Sequence, residues 1–183
     1  MRSRIKEGKK ELLKESEISL LIDTYDDIFS DFDPRPYSQR SLSQDFLDEA
    51  KRASRDKNYE KIQIKFLVPK NIRKPGEESV IRKRLKEHFR KHALELKKQH
   101  LKIIKEGLFF LVLGIAFMVL TGIFLVKNTP TRLTIFLSVF LEPGGWFLFW
   151  EGLYLIIFDS RRETPYLQFY KKMSTSDIIF NSY

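Results

Sequence analysis

The hydrophobic residues of this chain are concentrated in two long stretches, which predict two membrane-spanning helices. Residues 107–126 are 20 consecutive positions without a charged side chain. At about 1.5 Å per helical residue, this length matches a hydrocarbon core of about 30 Å. Residues 133–158 are apolar and aromatic except for two glutamates, and they are long enough to cross back. Because residues 127–132 form only a short connection, the spans are expected to form an antiparallel helical hairpin.

A helical pattern precedes the first span. Residues 77–106 contain no proline or glycine, and their apolar residues recur at steps of four and seven, which keeps them on one helical face. The pattern predicts a long basic juxtamembrane helix. Its apolar stripe can pack on the N-terminal residues, on sister helices of an oligomer or on lipid. The stripe consists of Ile81, Leu85, Phe89, Leu96 and Ile103.

The N-terminal residues predict a small α+β unit. Residues 17–23 and 61–68 are typical of strands, and Ser41 or Ser43 can cap a helix between them. The predicted fold class is an α-helical membrane protein with a two-helix transmembrane hairpin. The hairpin is preceded by the cytosolic α+β unit (residues 1–76) and the basic helix (77–106), and it is followed by a cytosolic tail (159–183).

The net charge of +9 is concentrated beside the predicted spans. Residues 1–69 contain 14 basic and 14 acidic residues, whereas residues 70–106 contain 13 basic and 5 acidic residues. Such a balance favours anionic lipid headgroups as partners. Nucleic acid is disfavoured because no aromatic stacking pattern accompanies the charges. The predicted lipid-facing basic residues are Lys97, Lys98, Lys102, Lys105, Arg161 and Arg162.

The same charges predict the orientation of the hairpin. Basic residues flank both outer ends of the spans, while the connecting loop has only Lys127 and Arg132. By the positive-inside rule, both termini are expected in the cytoplasm and the loop outside, in the cell's inner (plasma) membrane. Residues 1–16 carry basic residues without an apolar stretch, so no signal peptide is expected there.

Glu142 and Glu151 are the membrane-embedded polar residues of the second span. A carboxylate near the bilayer centre costs about 2.5 to 3.5 kcal/mol on insertion scales, so such groups rarely face lipid. For Glu151 an ion pair at the interface, with Lys105 or Arg161, is the simple interpretation. For Glu142 three roles stay open: a structural hydrogen bond, a subunit contact or the lining of a pore.

Glycines and a proline next to Glu142 predict an irregular crossing of the helices. Pro143, Gly144 and Gly145 can break the second helix there. If the hairpin pairs positions whose numbers add to about 259, Gly145 lies beside Gly114 and the backbones approach closely. The aromatic face formed by Trp146, Trp150 and Tyr154 is interpreted as packing or as an interfacial belt.

No pattern for catalysis, a cofactor or a metal site stands out. The chain has no cysteine, and His88 and His92 have no third ligand of matching spacing. Arg82 and His88 fit the R-x(4-6)-H spacing of the HEPN ribonucleases, but a basic helix matches it easily. We therefore expect no enzyme, no cofactor and no metal, with a membrane-tethered ribonuclease as a weak alternative.

Two motifs resemble those of a family of uncharacterised prokaryotic two-span membrane proteins. They are D-P-x-P-[FY]-x-x-R-x-L and G-W-x-x-x-W-[ER]-x-L. The resemblance supports the topology and implies no activity. The first motif predicts an anchored loop in which two prolines stiffen the chain, Arg40 pairs with Asp31 or Asp33, and Tyr37 packs inward. The matching residues are Asp33, Pro34, Pro36, Tyr37, Arg40 and Leu42, and Gly145, Trp146, Trp150, Glu151 and Leu153.

Two functions from different classes follow from these features. The first is a membrane anchor or scaffold that self-associates and binds a cytosolic protein partner, for which residues 17–49 supply an acidic surface of nine Asp/Glu against two arginines. The second is an oligomeric pore or membrane-disrupting effector, gated from the cytosol and lined by Glu142. One hairpin encloses no channel, so a pore needs a ring of subunits.

Overall fold

The described part of the chain is mostly helical and contains a small three-stranded sheet. The computed structural model describes residues 17–55, 62–126 and 131–183. The strands are β1 (Glu17–Leu21), β2 (Gln63–Val68) and β3 (Asp177–Ser182), and the helices are α1 (Gln44–Arg55), α2 (Pro75–Val126), α3 (Arg132–Tyr154) and α4 (Ser160–Ser174). Short 3₁₀ turns occupy Tyr25–Ile28 and Lys70–Ile72, and a π turn, Leu155–Asp159, joins α3 to α4.

The described residues of Met1–Leu94 and Gln168–Tyr183 form one compact unit around a parallel sheet. The strand order is β1-β2-β3, so β2 is central. Ile64 pairs with Ile18 on one side and with Ile178 on the other. The sequence predicts this unit within residues 1–76 and a tail at residues 159–183. The structure differs because α4 and β3 complete the same core.

Alternation along β2 builds that core. Ile64, Phe66 and Val68 are fully buried, while the residues between them are partly exposed. Phe66 stacks on Phe180 of β3 with ring centroids 5.1 Å apart. Ser43, one of the two expected caps, accepts a hydrogen bond from the amide of Phe46 at 3.5 Å and starts α1.

The first part of α2 covers the sheet with its apolar stripe. Ile81, Leu85 and Phe89 are fully buried in the core. They meet α4, where Phe169 and Met173 are also buried. Three partners were possible for this stripe. Its first three residues pack against the small α+β unit.

The second unit is Glu95–Leu167. Helix α2 runs without interruption for 52 residues, so the expected boundary at residue 107 is a change of composition within one helix. Both long helices are apolar and long enough to cross a membrane, and only 11% of the most apolar window of each is buried within the chain. Core helices of soluble proteins are mostly buried, so the length, composition and exposure of these helices are compatible with membrane spans.

The expected break at Pro143, Gly144 and Gly145 does not occur. Helix α3 continues through all three residues, and the irregular backbone lies at Leu155–Asp159 instead. A proline removes one amide donor, here the donor for the carbonyl of Val139. The neighbouring turns keep the helix, since one lost hydrogen bond does not require unwinding.

Candidate functional site

Two pairs of glycines form the contact between α2 and α3. A Cβ atom built on Gly114 would lie 2.7 Å from the carbonyl oxygen of Gly145, and one built on Gly152 would lie 2.6 Å from that of Gly107. Real Cβ atoms do not approach so closely, so only glycine fits these positions. In both pairs the residue numbers add to 259, which is the register that the short connection predicts.

The glycine contact continues as a stripe of small residues. The residue numbers of Thr121 and Ser138 also add to 259, and these two residues are 3% and 9% exposed. Their hydroxyls donate to the carbonyls of Phe117 and Thr134 on their own helices, so neither needs a partner across the contact. The small residues recur every seven positions on each helix, a spacing that keeps two helices in contact over several turns.

Glu142 lies on the outside of the hairpin. Its side chain is exposed, and within the described ranges no group forms a hydrogen bond or an ion pair with its carboxylate. The expected structural hydrogen bond is therefore not made by any residue that the structure describes. Helix α3 stays closed at Pro143, so it offers no free amide to this carboxylate.

Glu151 differs from its expected role as well. Its side chain is half-buried, and in the part of the chain that the structure describes it forms no ion pair with Lys105 or Arg161. The helix directs Glu151 into an open, mainly apolar groove of about 340 Å³ along α3 and the π turn.

The aromatic face of α3 points outward beside this groove. Trp146, Trp150 and Tyr154 are 50%, 60% and 51% exposed. The two indole rings stack with centroids 6.4 Å apart and planes inclined by 20°. Among the described residues, nothing accepts a hydrogen bond from either indole nitrogen. About half or more of the surface of each of these side chains is therefore left uncovered by the described residues.

The proline-containing loop is anchored, but by different ion pairs from those expected. Asp33 pairs with Arg35 at 2.7 Å and accepts a hydrogen bond from the amide of Ser41. Arg40 pairs with Asp26 and donates from Nε to the carbonyl of Ser30 at 3.0 Å. Asp33 is already paired with Arg35, two residues further along the chain. Arg40 therefore pairs with Asp26, which lies in the acidic turn before the loop.

The Arg35 guanidinium beside Asp33 keeps the pKa of this carboxyl well below its usual range. The carboxylate therefore stays ionised, and the loop keeps its anchor at any physiological pH.

Further contacts fix the loop to the core. Tyr37 stacks on Phe29, with ring centroids 5.1 Å apart, so it packs inward as the motif indicates. Arg84 of α2 donates to the carbonyl of Arg40 at 3.0 Å. Pro34 and Pro36 are exposed within the loop. The loop thus presents Phe32, which is 98% exposed, from a fixed backbone.

A buried polar network lies behind this loop, and no pattern in the sequence predicts it. Glu78, 4% exposed, accepts two hydrogen bonds from Arg73 at 2.8 and 2.9 Å and one from the Tyr25 hydroxyl at 2.9 Å. The Arg73 guanidinium lowers the pKa of Glu78, and burial raises the pKa of Tyr25. The network joins the turn after β1 to the start of α2. The tertiary fold alone brings these distant residues together.

The histidines of α2 form an aromatic cluster with α4. The ring of His92 lies 4.3 Å from that of His88 and 5.3 Å from that of Tyr170. Burial lowers the pKa of His88 to about 4, and electrostatic interactions with His92, Arg84 and Lys91 act in the same direction. His88 is therefore neutral near pH 7. Within residues 17–55, 62–126 and 131–183, no group of acidic or histidine side chains is placed to hold a metal.

Arg82 lies apart from these histidines. Six residues turn a helix by 600°, so Arg82 and His88 point about 120° apart. Arg82 lines an open groove of about 460 Å³ with Lys83, Lys86 and Arg90, and His88 does not line it. The spacing of the HEPN ribonucleases therefore does not bring this arginine and histidine to one groove.

The basic residues near the apolar stretches are solvent-exposed. Lys102 forms a side-chain pair with Glu106 at 3.6 Å on its own helix. The exposed set is Lys97, Lys98, Lys102, Lys105, Arg161 and Arg162.

No family model, curated protein or solved structure matches the chain. The resemblance to two-span membrane proteins therefore stays a prediction that rests on the two motifs.

Proposed function

We propose that this protein is a membrane anchor that holds a cytosolic interaction domain at the inner membrane. In this proposal α2 and α3 cross the bilayer as a hairpin, and the unit around the sheet lies in the cytoplasm. The exposed face of that unit binds a partner protein, and the protein associates with itself through the hairpin.

The pairing of β2 with β3 carries the proposal. The apolar helices lie between these two strands in the sequence, and the strands are hydrogen-bonded neighbours along six residue pairs. Both ends of the hairpin therefore lead into one folded unit, which lies on one side of any membrane that the hairpin crosses. The basic residues at both ends favour the cytoplasmic side, where anionic headgroups attract them.

The loop around Phe32 supports a role in protein binding. An exposed aromatic side chain on a fixed backbone loses little conformational entropy on binding, which is typical of interface anchors. Asp31 beside it is exposed, and Asp26 stays half-exposed beside Arg40. A partner with an apolar pocket and a basic rim is complementary to this surface.

Single cysteines test the anchor, since the chain has none of its own. A membrane-impermeant maleimide added to intact cells is expected to label Thr131→Cys and to leave Phe32→Cys and Tyr183→Cys unlabelled. After lysis all three are expected to react. Labelling of Tyr183→Cys in intact cells, or recovery of the protein in the soluble fraction, would contradict the proposal.

A photo-crosslinking amino acid tests the interaction surface. Benzoylphenylalanine in place of Phe32 is expected to capture a cytosolic protein, and the same group in place of Tyr183 is not. Equal capture at both positions would show that the loop is not the docking surface.

The second function, an oligomeric pore, is favoured by the position of Glu142. An exposed carboxylate within an apolar helix is placed to line a path when several hairpins form a ring. Flux of cations through reconstituted liposomes tests this function directly, and Glu142→Gln is expected to change that flux without removing the ring.

A further inference from the structure

We infer that the partner of the outward face of α3 is α3 of a second copy, packed along the ridge Glu142, Trp146, Trp150 and Tyr154. The inference deepens the proposed function, and it rests on that proposal because it needs the hairpin to cross a membrane. It assigns the self-association to one helix face and to a two-fold pair.

The depth of these side chains is the first argument. Glu142 lies nine residues after Leu133, about 14 Å along the helix from the start of the apolar stretch. Trp146 lies near the middle of residues 133–158, whereas membrane tryptophans are ordinarily concentrated at the interfaces. Lipid tails provide no hydrogen-bond partner at this depth. A carboxylate and an indole N–H here call for a protein partner.

Their spacing is the second argument. The four residues follow one another at steps of four, which places them on a single ridge of α3. Ridges of this type interdigitate in the commonest class of helix packing. The ridge runs along the outside of the hairpin, and its members are exposed while Gly145 and Gly152 are buried against α2.

Complementarity selects a second copy as the partner. The ridge carries acceptors without donors, namely the Glu142 carboxylate and the carbonyl of Val139 that loses its amide donor at Pro143. It also carries donors without acceptors, the two indole N–H groups. Helical side chains lean toward the N-terminus, so the indole of Trp146 leans toward the level of Glu142. In a pair of parallel α3 helices, the indole N–H groups of each copy can donate to the unpaired acceptors of the other copy.

The groove beside the ridge provides room for the partner. Its volume is about 340 Å³, and its lining is apolar apart from Glu151. Phe147, Trp150, Tyr154 and Phe158 form most of its walls. An aromatic side chain from the second copy can fill it, which adds packing to the hydrogen bonds.

Disulfide cross-linking of the full-length protein in native membranes tests the surface. Val139→Cys lies on the proposed face of α3. Val119→Cys on α2 is a matched control, because Val119 is 57% exposed and lies at the level of residue 140, next to Val139. Val139→Cys is expected to give a product of twice the subunit mass, and Val119→Cys is not. Equal cross-linking, no product at 139, or a product with a different protein would overturn the inference.

Substitution of Glu142 tests the chemistry. Energy transfer between labelled copies in liposomes, measured against the lipid-to-protein ratio, gives the strength of the pair. One interhelical hydrogen bond in a membrane corresponds to about 3- to 20-fold in association. A two-fold pair loses one such bond in each copy, so Glu142→Leu is expected to weaken the pair by about 9-fold or more. Glu142→Gln keeps an acceptor and is expected to weaken it less than 3-fold. Phe140→Leu, on another exposed face, is the control.

Unchanged association of Glu142→Leu, or a series of species larger than two copies, would overturn the pair, and the latter would support the ring of the pore function. Maleimide labelling of the same variants measures whether the hairpin is inserted, so failure of the pair can be distinguished from failure of the anchor. A hairpin that is correctly inserted but monomeric removes the pair and leaves the anchor.

Discussion

The backbone of Gly152 packs directly on the backbone of Gly107, so that a methyl group on Gly152 would lie 2.6 Å from the carbonyl oxygen of Gly107 and 2.6 Å from the amide nitrogen of Leu111. Both obstacles are main-chain atoms, which cannot move aside as a flexible side chain would. The close approach of α2 and α3 therefore depends on the absence of a side chain at Gly152.

Gly152→Ala is expected to weaken the hairpin by about 1 to 3 kcal/mol, since overpacking has a cost of this size. Gly122→Ala is the matched control, because nothing lies within 4 Å of a Cβ atom there. The measurement is an SDS titration of the protein in mild detergent, followed by tryptophan fluorescence. Trp146 and Trp150 are the only tryptophans of the chain, so the signal reports on α3. Equal midpoints for both variants would contradict this packing.

Phe180→Ala is expected to destabilise the unit around the sheet by about 3 to 5 kcal/mol, because Phe180 is 6% exposed and stacks on Phe66. Asn181→Ala changes the next residue of β3, which is exposed, and is expected to have little effect. Hydrogen exchange of β2 peptides in the full-length protein measures the difference. Normal protection of β2 in Phe180→Ala would show that β3 is dispensable.

Glu78→Gln is expected to lower the free energy of unfolding by about 3 kcal/mol, because it leaves the guanidinium of Arg73 without its charged partner in a largely buried site. Glu77→Gln is the control, since Glu77 forms a solvent-exposed ion pair with Lys74, and such pairs contribute little. Thermal unfolding followed by circular dichroism compares the two variants. A larger loss for Glu77→Gln than for Glu78→Gln would refute the proposed importance of the network.

His88 is expected to make the stability depend on pH. Its pKa is about 4 in the folded protein and about 6.5 in an unfolded chain, so the unfolded state binds the proton more readily. The stabilising contribution is therefore complete above pH 6.5, and it is lost as the pH falls toward 4. His88→Gln is expected to flatten the pH dependence of the melting temperature in this window. An unchanged slope would mean that other groups cause it.

The hairpin and its register were predictable because their signals are local or follow from a short connection. Uncharged stretches define the apolar helices, and six linking residues constrain which positions can pair. The partner of Arg40 was not predictable, since several aspartates lie near it in the sequence and only the folded turn places Asp26 beside it. Strand β3 escaped because its pairing with β2 joins positions 114 residues apart, as Ile64 and Ile178 show.

The placement of the apolar helices between β2 and β3 also sets an order of events during synthesis. Strand β2 leaves the ribosome long before β3, and both long helices are made in the interval. Until β3 arrives, β2 has one unpaired edge, which is prone to aggregation or to capture by a chaperone. The sheet closes only after both long helices have been synthesised, so a chain that stalls before β3 is made carries an open strand edge by which quality control can recognise it.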